Sequence, residues 1–569
     1  MTEGVRRRAA IVLLVLTGSA CAGVTRVDTV LRGATIHDGS GGTRVDADIA
    51  IDDGRIVALG KLTGFVGDRE VDARGRSIVP GLVDIHSHAD LILLADDEQR
   101  NGLLEAKIRQ GVTTIVVGNC GLGPAPAGPS AAAILSGVNG WMTPEGVEAG
   151  PLTTAGYLDL LEARRPPLNV ATLAPHGPLR IDSMGLAPGA PDEAQLAAMA
   201  STLRESLDAG AYGLSAGLIY PPGMYSGAGE LASLAEIVAG VDGLVTLHVR
   251  GSSETLLPAT DELIEIARRS GARTHHSHLE AVGREFWPHI ADVLAAEDAA
   301  REEGLRLSHD VFPYTRAATM MSAIFPPWSL AGGVPGLLER LEDPASRERI
   351  REDMRGPGIE WHNLVGAVGW DGIYVASVGP DGPAGLVGRD LESIAAAAGR
   401  DPFDVVLELM LAERGRVGQL VGEISGDEDD LDGLLSILAH PAAAIVSDAE
   451  DYGRGAPHPA HAGAFTRALR FNREHALVSD GEMIRRMTGR PAEIVGLDGV
   501  GRLAVGEVAD LVILDPSSVG DAADWQSPRE FSTGVEGVMI GGRWVVRDEV
   551  YQPGSNGRVL RKPRAAPPS

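Results

Sequence analysis

Short apolar runs rich in β-branched residues recur through the middle of the chain. They lie at 82–86 (LVDIH), 112–118 (VTTIVVG), 168–174 (LNVATLA), 212–216 (YGLSA), 243–249 (GLVTLHV), 272–278 (ARTHHSH), 305–311 (LRLSHDV) and 443–448 (AAIVSD). Continuous runs of this length are expected of strands buried on both faces. Stretches with helical spacing, such as 192–209, 258–270 and 289–303, lie between most of them. Eight strands alternating with helices predict an α/β fold, a (β/α)8 TIM barrel over residues 80–485. About 130 residues separate the seventh run from the eighth. An insertion at about 315–440 is therefore expected, helical at 340–353 and placed to reach over the barrel mouth as a lid.

The two ends have a different rhythm. Residues 25–79 and 486–555 hold short alternating segments, and Asp38-Gly39 and Asp53-Gly54 carry the hairpin signal. Neither end has enough strands for a core of its own, so the two are expected to meet in one small β-sandwich beside the barrel. Residues 560–569 are expected to form a flexible tail.

The first residues read as a targeting segment. Arg6–Arg8, an apolar run from Ala9 to Leu16 and small residues up to Cys21 predict an export signal over 1–20, too short to span a bilayer. Gly18, Ser19 and Ala20 before Cys21 also resemble a lipoprotein box, although Gly18 stands where Leu is usual. The expectation is an exported protein, periplasmic or at the outer surface, with membrane attachment through a lipidated Cys21 as one of two outcomes.

Composition narrows the remaining classes. The 569 residues are 44% apolar and 22% charged, enough for a large core and incompatible with a wholly disordered chain. The net charge of -28, with no basic patch beyond the first residues, argues against nucleic acid as a partner. Two cysteines cannot make a disulfide scaffold. A small molecule is the expected partner, and the oligomeric state is left open.

Candidate chemistry gathers at the predicted strand ends. His86 and His88 end the first strand two residues apart, so in extended chain both rings share one face. Cys120 follows the second strand between Asn119 and Gly121, His248 ends the fifth, His278 the sixth and Asp448 the eighth. All six fall at the C-terminal rim, where this fold builds its sites. Imidazole, thiolate and carboxylate together suit Zn2+, with a covalent nucleophile role for Cys120 as the rival reading. Of the other histidines, His176 is expected either at the pocket or in a structural role. Alternation from His278 puts His276 on the barrel's inner face and His275 outward. His309 and Asp310 are polar neighbours of the site, and His37 is a surface residue of the terminal sheet.

These elements carry a resemblance. GLVDIHSH (81–88), GVTTIVVGNCG (111–121), GLSAGLIYPPGMYS (213–226), LHVR (247–250), SH (277–278), DVFPY (310–314), PPW (326–328), SD (447–448) and MTGRPAEIVGLDGVGRLAVGEVADLVILDP (487–516) span nearly the whole chain. The sequence is similar to the amidohydrolase superfamily, and within it to the N-acyl-D-amino-acid deacylases. The resemblance implies one tightly held zinc at Cys120, His248 and His278, and a weaker second site at His86, His88 and Asp448. It also implies Asp448 as general base and Tyr220 as a pocket hydroxyl able to stabilise the developing oxyanion. Substrate contacts are expected from Tyr314, Glu280, Arg316 and Arg250. The implied reaction is zinc-dependent hydrolysis of a non-peptide C–N amide bond. A cyclic amide, a neutral or cationic amide, and an inactive metal-containing binding protein are the alternatives.

Two departures bear on the substrate. The family commonly has Lys two residues after the sixth-strand histidine and Arg in a segment HPR after the eighth strand. This chain has Glu280 and Ala460 at those places. A substrate carboxylate would meet a like charge at the first and lose a bidentate partner at the second. Arg316 is expected either to bind an acid from another direction or to pair with Glu280.

Overall fold

The computed structural model describes residues 24–356, 361–379 and 382–564. The proposed signal segment and Cys21 lie outside the described residues. No described helix is long and apolar enough to cross a membrane.

All eight expected barrel strands are present, as parallel neighbours in two hydrogen-bonded groups. Leu82–Asp84, Val112–Val117 and Asn169–Thr172 form the first. The third strand breaks at Leu173 and resumes as Ala174–Pro175, which begins the second group. That group continues through Gly213–Gly217, Leu244–His248, Arg273–His276, Leu307–Val311 and Ala443–Ile445. Helices such as Glu193–Ala209, Leu256–Ser270 and His289–Glu302 alternate with the strands. The first of these starts at a reciprocal cap between Asp192 and Gln195 and stops at Gly210, whose φ of 110° no branched residue adopts readily.

The seam between the eighth and first strands is closed by side chains as well as backbone. Asp448 N donates to His86 O, and the Asp84 carboxylate accepts from Ser447 N and, at 2.6 Å, from Ser447 Oγ. At the opposite end, Val83, Val116, Ala171, Leu244 and Ala444 meet Ala492 and Val495 of the helix Gly489–Val495. This helix was expected within the terminal β unit. It packs against the barrel floor instead, its Ala492 and Val495 joining the apolar cluster there.

The chain ends do combine, in one nine-stranded mixed sheet of five amino-terminal and four carboxy-terminal strands. The junction is an antiparallel pairing of Leu511–Leu514 with Ser77–Pro80, Val512 opposite Val79. Asp53-Gly54 makes the expected tight turn, with φ of 46° and 74° between the strands Val45–Asp52 and Arg55–Gly60. Asp38-Gly39 does not. It lies in a longer loop, where a Cβ on Gly39 would stand 2.3 Å from Gly501 O, so its glycine permits the amino- and carboxy-terminal parts to approach. His37 is buried here rather than on the surface.

Nor are residues 560–564 a free tail. Val559 bridges to Val170, Leu560 N donates to Val170 O, Lys562 N donates to Gly210 O, and Arg561 pairs with Asp159 and Glu162. The segment pairs along the edge of the third barrel strand, with Leu560 packed on the apolar cluster at the barrel floor.

The insertion is built on a small antiparallel sheet, with Gly418–Val421 between Ala317–Met320 and Ile373–Ser377. The helix expected over 340–353 is two, Gly333–Glu342 and Pro344–Arg355. They divide at Asp343, whose carboxylate caps Ser346 N while Pro344 starts the second. The insertion does reach the barrel mouth, where Thr319, His362, Leu364 and Val421 form part of the wall of the central cavity.

Candidate metal centre

Every side chain expected at the rim converges there. His86 Nε2 lies 3.2 Å from Cys120 Sγ, which is also 3.9 Å from His248 Nδ1 and 3.8 Å from His278 Nε2. One Asp448 oxygen is 3.4 Å from Nε2 of both His86 and His88. Two groups of donors are therefore close enough to share an ion, His86–Cys120–His278 and His86–His88–Asp448. A tetrahedral zinc with bonds of about 2.0–2.3 Å sets sulfur and nitrogen donors about 3.5 Å apart, which the sulfur–nitrogen distances bracket.

Local backbone chemistry explains the convergence. Cys120, His278 and Asp448 have φ of 51°, 36° and 45°, a left-handed conformation uncommon for residues with a Cβ. Each stands just past a strand end and turns its side chain to the axis. At the cysteine the turn is fixed by Asn119 Nδ2, which donates to Ile85 O and Val116 O. It is allowed by Gly217, where a Cβ would meet Cys120 O at 2.2 Å. The same geometry corrects the expected alternation at the sixth strand, which ends at His276. His275 points inward, its Nε2 2.8 Å from Asp310, and His276 points outward to Glu297 on His289–Glu302. On the next strand His309 likewise goes outward to Glu297, whereas Asp310 goes inward to His86 Nδ1 and the backbone N–H of His278. Asp310 thereby orients two metal-competent histidines.

The electrostatics favour a cation. Burial opposes ionisation of Cys120, yet His86, His248 and His278 hold its thiol well below the ordinary value. Burial likewise opposes a charge on His88 and His278, yet Asp448 and Cys120 draw His88 up to about 10, and Cys120 with Glu280 draws His278 up to about 9. Asp448 is held below its usual range by His86 and His88 despite burial. A thiolate and carboxylates that pull protons onto neighbouring imidazoles make a donor set suited to a divalent metal.

Beneath the centre lies a charged support that the sequence reading did not single out. Lys107, 1% exposed, donates to Asp84 Oδ2 at 2.9 Å, to Glu450 Oε1 at 2.8 Å and to Ser447 Oγ at 2.8 Å. Glu450 also accepts from Ser87 Oγ and His88 N. One ammonium thus ties the His86–His88 segment to Asp448. Lys107→Met leaves two buried carboxylates without their cation and is expected to destabilise the fold by about 3–5 kcal/mol. The check is the urea midpoint; a loss below about 1 kcal/mol would mean that the carboxylates find other partners.

The residues expected to touch substrate divide. Tyr220 and Glu280 line the cavity. Tyr220 Oη is 2.8 Å from Thr319 Oγ1 of the insertion, and its ring centroid is 5.0 Å from that of His248. Tyr314 lies behind the wall, its ring against His458 and Trp525. Arg316 neither enters the cavity nor pairs with Glu280. Its guanidinium stacks on Tyr374 and Trp525, 4.1 and 4.7 Å from their centroids. Arg250 forms a bidentate pair with Glu262 and donates to the carbonyls of Met224 and Ser226, so it ties the loop after the fifth strand to the loop after the fourth. Ala460 is fully buried at the start of Ala460–His475. His176 pairs with Glu230, which also binds Arg180, in a structural cluster. The cavity also contains His362, Trp141, Tyr452 and His458, none of which the strand pattern could reveal.

Comparison with known proteins agrees with this architecture. The profile of the Amidohydrolase family matches residues 69–331 and 365–546. An N-acyl-D-glutamate deacylase of Alcaligenes xylosoxydans xylosoxydans is 33% identical over 94% of this chain and 97% of its own. A D-aminoacylase of the same organism is 30% identical over 95% and 98%. The crystal structure of N-acyl-D-glutamate deacylase from Bordetella bronchiseptica, complexed with zinc and a phosphonate mimic of the tetrahedral intermediate, superposes with a TM-score of 0.77. It is 31% identical and covers 94% of this chain and 100% of that one. By the family match over most of its length and by its likeness in sequence and fold to these deacylases, this chain belongs to the Amidohydrolase family, in its N-acyl-D-amino-acid deacylase branch.

Proposed function

We propose that the protein is a zinc-dependent deacylase that hydrolyses the linear amide of an N-acyl-D-amino acid or a derivative of one. The observation that carries this reading is the meeting of Cys120, His248 and His278 with the Asp448 carboxylate in one buried cavity roofed by the insertion. The first three residues would hold one zinc tightly, and His86, His88 and Asp448 would hold a second more weakly. Zinc bound there supplies Lewis acidity and a water of lowered pKa. Asp448 accepts the proton of the attacking water and returns it to the departing nitrogen. Tyr220, held by Thr319, donates its hydroxyl hydrogen toward the oxygen on which charge develops. The basic, apolar and small-residue segments before Cys21 support export of the enzyme, with lipidation at that cysteine as the anchored form.

The test is acetate release by the zinc-loaded protein from N-acetyl-D- and N-acetyl-L-amino acids and their carboxamides. Release from D-substrates, suppressed by chelation, is expected. Stoichiometric zinc with no acetate from any of them would overturn the reading.

A further inference from the structure

The cavity around the metal centre has an unusual charge balance. Glu280, Asp448 and Glu450 all line it, and none of its described lining residues is Lys or Arg; Glu450 is paired with Lys107 from below and Asp448 with His86 and His88, whereas Glu280 has no such cation. The nearby guanidinium groups are engaged elsewhere. Arg316 is stacked on Tyr374 and Trp525, Arg250 is paired with Glu262, and Arg454 donates to the carbonyls of Gly140 and Trp141. His458 supplies no charge, because its Nε2 bonds Arg316 O while its Nδ1 accepts from Ala460 N.

The cavity wall holds buried polar atoms without partners among the described residues: Glu280 Oε2, both ring nitrogens of His362, one of them an acceptor when the ring is neutral, and the Trp141 Nε1–H donor. Glu280 is 8% exposed; its Oε1 receives a long 3.4 Å contact from Ser252 Oγ and lies 3.8 Å from His278 Nδ1, and its Oε2 has no partner among the described residues. His362, also 8% exposed, has neither ring nitrogen bonded among the described residues. The two are neighbours through one loop, since a Cβ on Gly251 would lie 3.0 Å from His362 Cβ and Ser252 is the residue at Glu280. A buried carboxylate oxygen and an imidazole acceptor left unbonded are costly unless a ligand donates to them. A substrate carboxylate in this place would add another acceptor and satisfy neither of these acceptors.

Resting on the deacylase reading above, we infer that the amine half of the substrate presents an N–H donor, a carboxamide or an ammonium group, to Glu280 and His362 in place of a free carboxylate. The hydrolysis balances without another reactant. Water adds across the C–N bond, the acyl group leaves as a carboxylic acid, and the amine departs with its donor group intact.

The experiment compares kcat/KM of the zinc-loaded enzyme for N-acetyl-D-leucinamide and N-acetyl-D-leucine. It also measures binding of the product amines D-leucinamide and D-leucine by calorimetry, which reads the same preference without turnover. At least about tenfold preference for the amide in both measurements is expected. Glu280→Gln should narrow the preference, and Glu280→Lys should invert it, with zinc content as the control for an intact centre. Equal or better use of the free acid by the wild type would overturn the inference and leave the deacylase reading standing. If acetate is released from neither substrate, the deacylase reading fails, while product binding still decides the inference: tighter binding of D-leucine overturns it.

Discussion

Cys120→Ala is expected to purify without stoichiometric zinc and without measurable turnover. The sulfur has three imidazole nitrogens between 3.2 and 3.9 Å away, so it is the donor around which the others are arranged. It is also a soft anion in a buried site, and an alanine methyl replaces it with a group that cannot coordinate. The remaining histidines would face a cation with less compensating charge, and loss of zinc removes the electrophile on which amide hydrolysis depends, worth several kcal/mol of transition-state stabilisation. Elemental analysis after dialysis gives the metal content, and circular dichroism establishes that the barrel is folded. Alanine protein that keeps one zinc per chain would place the tight site at His86, His88 and Asp448 instead.

Asp448→Asn is expected to separate metal binding from chemistry. The side chain contacts His86 and His88 and is not part of the Cys120, His248 and His278 set, so the tight zinc should remain. Asparagine preserves the shape but has no basic carboxylate to take the proton of the attacking water. The expected loss in kcat is at least about 100-fold, with KM changed little. Because the wild-type carboxyl is held below its ordinary value by the surrounding imidazoles, it stays ionised through neutral pH, and activity should fall only as acid protonates it. Near-normal kcat in a zinc-loaded Asn variant would move the base to another group, Glu450 being the carboxylate next along the same wall.

The barrel and its candidate metal donors were legible because both follow local rules. A strand buried on both faces announces itself as an apolar run, and a metal-competent residue at its end reads as part of a rim. Reading failed where the chain leaves regular geometry. Alternation inverted His275 and His276 because the strand ends before His278 and the ligand reaches the axis through a left-handed turn. Arg250 sits beside a ligand in sequence, yet its guanidinium turns to Glu262, and no local pattern specifies such a partner. Lys107 stands on the buried face of its helix, three residues after Leu104, but a lysine ordinarily marks a solvent face, and only the meeting of the first and eighth strands supplies the carboxylates that hold it. His362 comes from an insertion whose path over the mouth has no period to follow.

The joint terminal sheet sets a timetable for folding. Ser77–Pro80 offers a pairing edge near the start of the chain, and its partner Leu511–Leu514 is made about 430 residues later. At synthesis rates of 5–20 residues per second, that edge waits about 20–90 s. An unpaired apolar strand edge is a template for misassociation during such an interval. The barrel faces the same delay, since its eighth strand and the helix that packs against its floor are also late. Nascent chains must therefore be shielded until nearly all of the sequence is available, and the last step of folding is the clasping of the beginning by the end.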